Sequence, residues 1–280
     1  MADWISKDIG SRGLSPRDYA ILVRQTADRF EEKLAPAFAA KGLRLRNEAK
    51  IVGKMSLQDL LTDPVNRVAI SILRLASIRK SPEAWAIAAT TLPRIRNIDP
   101  DDDVKSHKIE NELLAFIAEL RTQLVKSPPS AENAKLISAR ILELLDLGDV
   151  KRAFPEYHSG EALEIAAEAF TLHLAESATS TDTWINCVDA FEGIGQVPLM
   201  TVHKSKGLEY DTMIFVGLDD SSWWSYTPDN PEGLATFFVA LTRAKQRAVF
   251  TFCGARGDRT RIADLYSLLT KAGVQEEEPS

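Results

Sequence analysis

Cysteine is scarce in this sequence. Only Cys187 and Cys253 occur, far apart and beside no partner motif, which excludes a disulfide framework. Long apolar runs are missing too. The stretch from Val68 to Ile78 is broken by Ser71 and Arg74, so no segment reads as a bilayer-spanning helix. Residues Met1 to Asp8 lack the layout of a signal peptide. Reduced cysteines and the missing spans point to a cytoplasmic protein without membrane contact. Positive charge is not in surplus: 34 Lys and Arg face 40 Asp and Glu, a net charge of −6. The surface as a whole does not attract nucleic acid, and any such binding needs a local basic strip. No Gly-x-x-x-x-Gly-Lys-Ser/Thr occurs anywhere, so no glycine-rich loop with a lysine cradles phosphates. No Asp-Glu pair closes an apolar strand as a metal and water site, and no resident metal is expected.

What is present is an ordinary globular composition, 45% hydrophobic and 26% charged over 280 residues, enough for one large or two ordinary cores. Both ends read as α/β and the middle as helix. Tyr19 to Arg24 is a short apolar run typical of a buried strand. A helix is expected over Ala27 to Lys41, stopped by Gly42 and kinked or broken at Pro36, then a strand over Leu43 to Asn47. From about Ser56 to Ile194 the period is helical. Ser56, Ser81 before Pro82, and Ser130 are helix starts, because a hydroxyl caps free N–H groups and a proline in the first turn sacrifices no bond. Leu113, Phe116, Ile117, Leu120 and Leu124 share one helix face. The helix from Ser130, carrying Ile137, Ile141 and Leu145, is expected to stop near Gly148. After Gly195 strands return at Val197 to Val202, Thr212 to Leu218 and Ala248 to Cys253. A helix is expected over Leu234 to Lys245 and a closing helix over Arg259 to Ala272. The sequence therefore describes an α/β domain interrupted by a helical domain and then resumed.

Two segments carry candidate chemistry. In Leu199 to Asp211 (LMTVHKSKGLEYD) a buried strand runs into polar and basic residues, then a glycine, then an acid. Ligands collect beyond the carboxyl ends of strands in parallel sheets, so Thr201 and His203 stand at a working edge. A hydroxyl, an imidazole, and the ammonium groups of Lys204 and Lys206 suit phosphates. Gly207 permits a backbone conformation or an approach denied to other residues. A solvated loop with capping residues explains the same pattern equally well. The second segment is Phe237 to Lys245 (FFVALTRAK), an apolar helix ending in Thr-Arg-Ala-Lys. Arg243 there suits charge on a transferring phosphoryl group. The plainer reading is a cationic last turn favoured by the helix dipole.

These segments resemble motif V and motif VI of UvrD/Rep/PcrA-type superfamily 1 DNA helicases. Leu199 to Glu209 is similar to motif V along its length, and Thr242-Arg243-Ala244 to the core of motif VI. Asp18 to Glu32 resembles the segment with a Tyr-Arg pair on the first strand of the second motor domain, the pair here being Val23-Arg24. Gly42 to Gly53 and then Leu57 to Leu75 resemble the entry into the family's helical insertion, called 2B. The resemblance covers both ends, whereas Ser81 to Ser180 matches only as a helical insertion. It implies a RecA-like (P-loop NTPase-like) parallel-sheet domain, 2A, over 1–55 and 195–275, an all-helical 2B-like insertion over 56–194, and a disordered tail over 276–280.

The implied activity is that of the C-terminal part of an ATP-dependent 3′-to-5′ DNA helicase, using ATP and Mg²⁺ held mainly by an N-terminal motor domain outside this chain. The implied partners are that domain, single-stranded DNA and single-/double-strand junctions. The chain alone, lacking a P-loop, is expected to hydrolyse no ATP. By resemblance Arg243 contacts the γ-phosphate as the catalytic arginine, Glu209 lies on the nucleotide side, and Thr201 and His203 contact the strand. Gly207 and Lys206 match motif V positions, Gly207 being assigned with Glu209 to the nucleotide, and Lys204 joins the strand contacts by its charge. The sequence departs from the family before motif VI, where Leu234 and Ala235 stand in place of two arginines and Phe238 in place of a tyrosine. That departure leaves a second reading, a non-catalytic protein-interaction module derived from a helicase.

Overall fold

The computed structural model of the chain describes every residue except Arg79, Pro100, Asn230 and Glu278 to Ser280. In chain order the elements are α1 (Ala2–Arg12), β1 (Tyr19–Val23), α2 (Ala27–Ala39), β2 (Arg44–Asn47), β3 (Ile51–Val52), β4 (Met55–Ser56), α3 (Leu57–Thr62), α4 (Pro64–Ser77), α5 (Pro82–Ile95) and α6 (Asp103–Lys126). They continue with α7 (Ala131–Leu145), α8 (Leu147–Ala153), α9 (Ala162–Thr179), α10 (Trp184–Glu192), β5 (Gln196–Thr201), β6 (Tyr210–Val216), α11 (Pro231–Leu241), β7 (Ala244–Thr251) and α12 (Ala263–Lys271). Two compact units result: Met1–Ala49 together with the chain from Gly195 onward, and Lys50–Ile194.

The first unit is an α/β, RecA-like layer arrangement around a five-stranded parallel sheet of order β2-β5-β1-β6-β7. Side chains alternate across a strand, and β1 shows the consequence. Tyr19, Ile21 and Val23 join a core with Ile5 of α1 and Phe38 of α2. Ala20 and Leu22 join a core on the opposite face with Phe237 and Ala240 of α11 and Leu265 and Leu269 of α12. Both faces are covered, which is why these strands read as continuous apolar runs.

The second unit has a single helical core centred on α4, flanked by the two-stranded antiparallel pair β3–β4. Its helix starts follow the side-chain caps. Ser56, Ser81 and Ser130 accept the N–H groups of Asp59, Ala84 and Asn133.

Several boundaries differ from the sequence expectation. Pro36 does not break α2, which runs on one turn past it to Ala39. Gly148 does not stop a helix. The break falls at Asp146, with φ +55°, whose carboxylate accepts from the N–H groups of Gly148 and Asp149 and so opens α8. The helix expected to reach Lys245 ends at Leu241, and β7 begins at Ala244. Lys245 and Arg247 therefore belong to a strand. The closing helix starts at Ala263 rather than Arg259. In the tail, Glu276 pairs with Arg259 at 2.8 Å, while Glu278 to Ser280 lie outside the described residues. No described helix is long and apolar enough to cross a membrane, and both cysteines are free.

Candidate functional site

The connection from β5 to β6 carries most of the candidate residues. Strand β5 ends at Thr201, and a 3₁₀ turn over His203–Ser205 follows. The Thr201 hydroxyl accepts the Lys204 N–H at 3.4 Å, so it caps this turn. His203 is exposed and makes no side-chain hydrogen bond among the described residues, and the Lys204 side chain is exposed beside it. Ser205 points inward and its hydroxyl donates to the Val202 carbonyl at 2.7 Å. This internal bond turns the polar face of the connection outward.

Gly207 has φ +84° with nothing within 4 Å of an added Cβ. Its glycine therefore serves backbone conformation, not close approach. Glu209 is exposed and has no ion-pair partner among the described residues. The next residue, Tyr210, opens β6, and burial pushes its hydroxyl up to about 12.

Arg243 lies in the two-residue turn between α11 and β7, beside this connection. Its Nε donates to the Val239 carbonyl at 3.1 Å, capping α11. Its Nη1 reaches the carbonyls of Leu208 at 3.0 Å and Ser205 at 3.5 Å, and its Nη2 reaches the Thr242 hydroxyl at 3.0 Å. The Arg243 carbonyl accepts the Tyr210 N–H at 2.9 Å. Glu209 and Arg243 thus flank the amino ends of β6 and β7, whereas Thr201 and His203 lie beyond the carboxyl end of β5. The structure brings Arg243 together with the Ser205–Tyr210 segment, and does not bring it to Thr201. In this state the guanidinium is committed to protein carbonyls.

At the carboxyl ends of the strands, Arg24 leaves β1 and donates to the Ser222 carbonyl at 3.1 Å and the Ser225 hydroxyl at 2.8 Å, its guanidinium 4.8 Å from the Trp223 ring. Trp223 and Tyr226 are buried, and Trp224 is exposed. The aromatic run after β6 is therefore split into two core residues and one surface residue. Gly217, at φ +85°, lets the segment fold back, since an added Cβ would stand 2.7 Å from the Ser222 hydroxyl. Burial raises the Asp219 carboxyl, but bonds from Ser221 and Ser222 and the charge of Arg256 outweigh it and hold the group below its ordinary value. Sequence inspection missed Arg29, Lys33 and Arg256 around this edge. The four-residue spacing of Arg29 and Lys33 on one helix was the available signal. Among the described residues no group of His, Cys, Asp and Glu is placed to hold a metal ion.

The model of the UvrD-like helicase C-terminal domain matches residues 87–255. A probable DNA helicase II homolog of Mycoplasma capricolum subsp. capricolum is 24% identical over 310 residues, covering 91% of this chain and 39% of that protein. The ATP-dependent DNA helicase Rep of Buchnera aphidicola subsp. Acyrthosiphon pisum is 35% identical over 74 residues, covering 25% of this chain and 12% of that protein. The chain thus spans about two fifths of the Mycoplasma relative's length. With the family model matched over more than half of its residues, on the sheet and helices described above, the chain belongs to the UvrD-like helicase C-terminal domain family.

Proposed function

We propose that this chain is the C-terminal part of a cytoplasmic, ATP-dependent 3′-to-5′ DNA helicase, with residues 1–55 and 195–275 acting as motor domain 2A and 56–194 as a 2B-like insertion. ATP and Mg²⁺ are held mainly by a P-loop motor domain outside the chain, and ATP cleavage supplies the free energy for stepping along single-stranded DNA. Arg243 faces the γ-phosphate, Glu209 and Gly207 flank the nucleotide, and Thr201, His203 and Lys204 contact the strand. The observation that carries this reading is the Arg243 guanidinium held against the connection whose other end is Thr201–Lys204. The residues fit the role: a planar, permanently charged fork suits phosphate oxygens, and an open glutamate lies beside it. Reaching a phosphate requires Arg243 to leave the carbonyls of Leu208 and Ser205, so nucleotide contact loosens the connection that ends at the strand-contacting residues.

A second reading is a helicase-derived interaction module. It is favoured by the exposed apolar side chains of Leu234 and Phe238 on α11, where the family carries an arginine and a tyrosine. The two readings separate on turnover. In the intact protein, with its P-loop domain, Arg243→Ala should cut DNA-stimulated ATP hydrolysis by about 10³ to 10⁵. Strand binding without nucleotide should persist, and the 280-residue chain alone should hydrolyse nothing. Near-normal turnover in Arg243→Ala overturns the assignment, and an intact protein with no turnover favours the module.

A further inference from the structure

Strand β7 closes one side of the five-stranded sheet, and no described strand pairs with its free edge. The opposite edge, β2, is only four residues long and ends in the buried side chains of Arg46 and Asn47. β7 is eight residues long and none of them is buried, although Val249 and Phe250 are as apolar as the buried residues of β6. The Thr251 carbonyl turns towards β6, where it accepts the N–H of Leu218 at 2.9 Å. Alternation along the strand turns Val249 and Arg247 the same way, and leaves the N–H and C=O groups of Ala248 and Phe250 facing away from the sheet. Those four groups make no hydrogen bond among the described residues. Proteins guard such an edge with a charge, a proline or a bulge. Here the guard is confined to the start of the strand, where Lys245 is exposed and the register shifts between Tyr210 and Thr212. Arg247 does not guard it, being paired with Asp8 and held 5.1 Å from the Trp4 ring of α1.

A second apolar feature lies beside this edge. Gly233, Phe237 and Ala240 form the buried face of α11. Leu234, Phe238 and Leu241 are exposed, Phe238 by 62%. At about 100° per residue these three form a stripe a little over a quarter-turn round the helix from the buried face. A right-handed β6–α11–β7 crossover turns that flank towards the free side of β7. A peptide strand added to β7 would fill the edge and leave the stripe in water. An occupant that covers both must bring a strand and an apolar helix in the same two layers.

From this geometry we infer that the β7 edge and the α11 stripe form a two-fold interface with a second copy of this chain. With the axis beside Val249, β7 runs antiparallel to its mate. Ala248 of each copy then faces Phe250 of the other, and all four outward groups find partners. Val249 meets Val249 across the axis, a β-branched pair at the closely spaced position. No like charges oppose one another: Arg247 stands opposite Thr251, and Lys245 opposite Cys253. The helix spacing selects a second copy as the occupant. Strands stand about 4.8 Å apart, and α11 lies over both β6 and β7. An axis half a strand spacing beyond β7 therefore sets the two α11 helices about 10 Å apart, the distance at which helices pack. The two stripes then bury each other, and the two sheets join into one. The interface holds under either reading of function, since neither uses the β7 edge.

Sedimentation equilibrium of the 280-residue chain over a concentration series tests this. The wild-type chain should pass from 31.0 kDa to twice that mass and stop there. Phe238→Lys should raise the dissociation constant at least about tenfold, through lost apolar burial and like charges brought face to face. Ala248→Pro removes an N–H that the sheet does not use, and should raise it about tenfold through the two bonds lost between copies. Circular dichroism melts check that both variants fold. In hydrogen–deuterium exchange, β7 should gain protection with concentration in the wild type and not in Phe238→Lys, a comparison that decides the strand contact if Ala248→Pro does not fold. Monomer throughout the series overturns the proposal and leaves the edge to a strand of another protein. A dimer weakened by only one folded variant, or by neither, overturns it too, since strands and helices must both take part. So does mass that grows beyond the dimer, which a closed two-fold contact forbids.

Discussion

The guanidinium of Arg243 donates to the carbonyl of Leu208 at 3.0 Å, while the carbonyl of Arg243 accepts the N–H of Tyr210 at 2.9 Å. One residue thus fastens both ends of a three-residue segment, once through its side chain and once through its backbone. Only the side-chain link disappears on substitution.

Arg243→Ala should therefore loosen the connection without unravelling the sheet. Charged hydrogen bonds of this kind are worth about 1.5–3 kcal/mol when shielded, and less here because the side chain is partly exposed. Hydrogen–deuterium exchange should show faster exchange at Ser205 to Leu208, with the amides of β6 still protected. Arg243→Lys should restore little, because an ammonium cannot reach two carbonyls and a hydroxyl in one plane. Unchanged protection at Ser205 to Leu208 in Arg243→Ala would mean the fork is not what holds the segment.

A second prediction concerns alkaline pH. Tyr19 is fully buried and its hydroxyl donates to Asp8 at 2.5 Å, with Arg247 paired to the same carboxylate. Burial first, and then the bond to Asp8, pushes the Tyr19 hydroxyl from 10 up to about 12. A raised acid favours its neutral form in the folded state. Its contribution is thus fully present below pH 10 and is lost as pH climbs from 10 to 12. That interval corresponds to about 2–3 kcal/mol. Urea unfolding of wild type and Tyr19→Phe should show a stability gap that narrows over this window, because phenylalanine has no proton to lose. A gap that widens there contradicts the assignment.

Two glycines should respond for different reasons. An added Cβ at Gly233 would stand 2.4 Å from the ring of Tyr226, which is buried and bonded to Asp264. Gly233→Ala should cost about 1–3 kcal/mol through overpacking. Gly207 has open space but φ +84°, so Gly207→Ala should cost about 1 kcal/mol through backbone strain. Repacking separates them: Tyr226→Ala introduced with Gly233→Ala should recover part of the loss, and introduced with Gly207→Ala it should not. Equal effects of Tyr226→Ala in both backgrounds would refute the distinction.

The strands were legible because burial on both faces forces continuous β-branched and apolar runs, as in β1 and β6. The helix starts were legible because capping is local: Ser56, Ser81 and Ser130 each reach an N–H three residues ahead. Breaks were harder to read. Gly148 looks like a stop, yet Asp146 makes the break with its own backbone and caps the next helix. The end of α11 was misplaced because Thr242 to Lys245 suits a helix terminus and a strand start alike, and pairing with β6 decides between them.

By itself the sequence determined the order of the sheet strands, the capped helix starts and the segment from Leu199 to Asp211, since periodicity, capping and motif spacing act between neighbours along the chain. Only the tertiary structure decided where the Arg243 fork is directed, that Trp223 is core while Trp224 is surface, and that Arg24, Arg29, Lys33 and Arg256 surround one cavity. These are relations between segments more than two hundred residues apart at the extreme, as for Arg24 and Arg256, set by the stacking order of five parallel strands. Pairing of that kind leaves no periodic trace in a single chain, because each strand's apolar pattern is compatible with several neighbours and the packing of the whole sheet selects one.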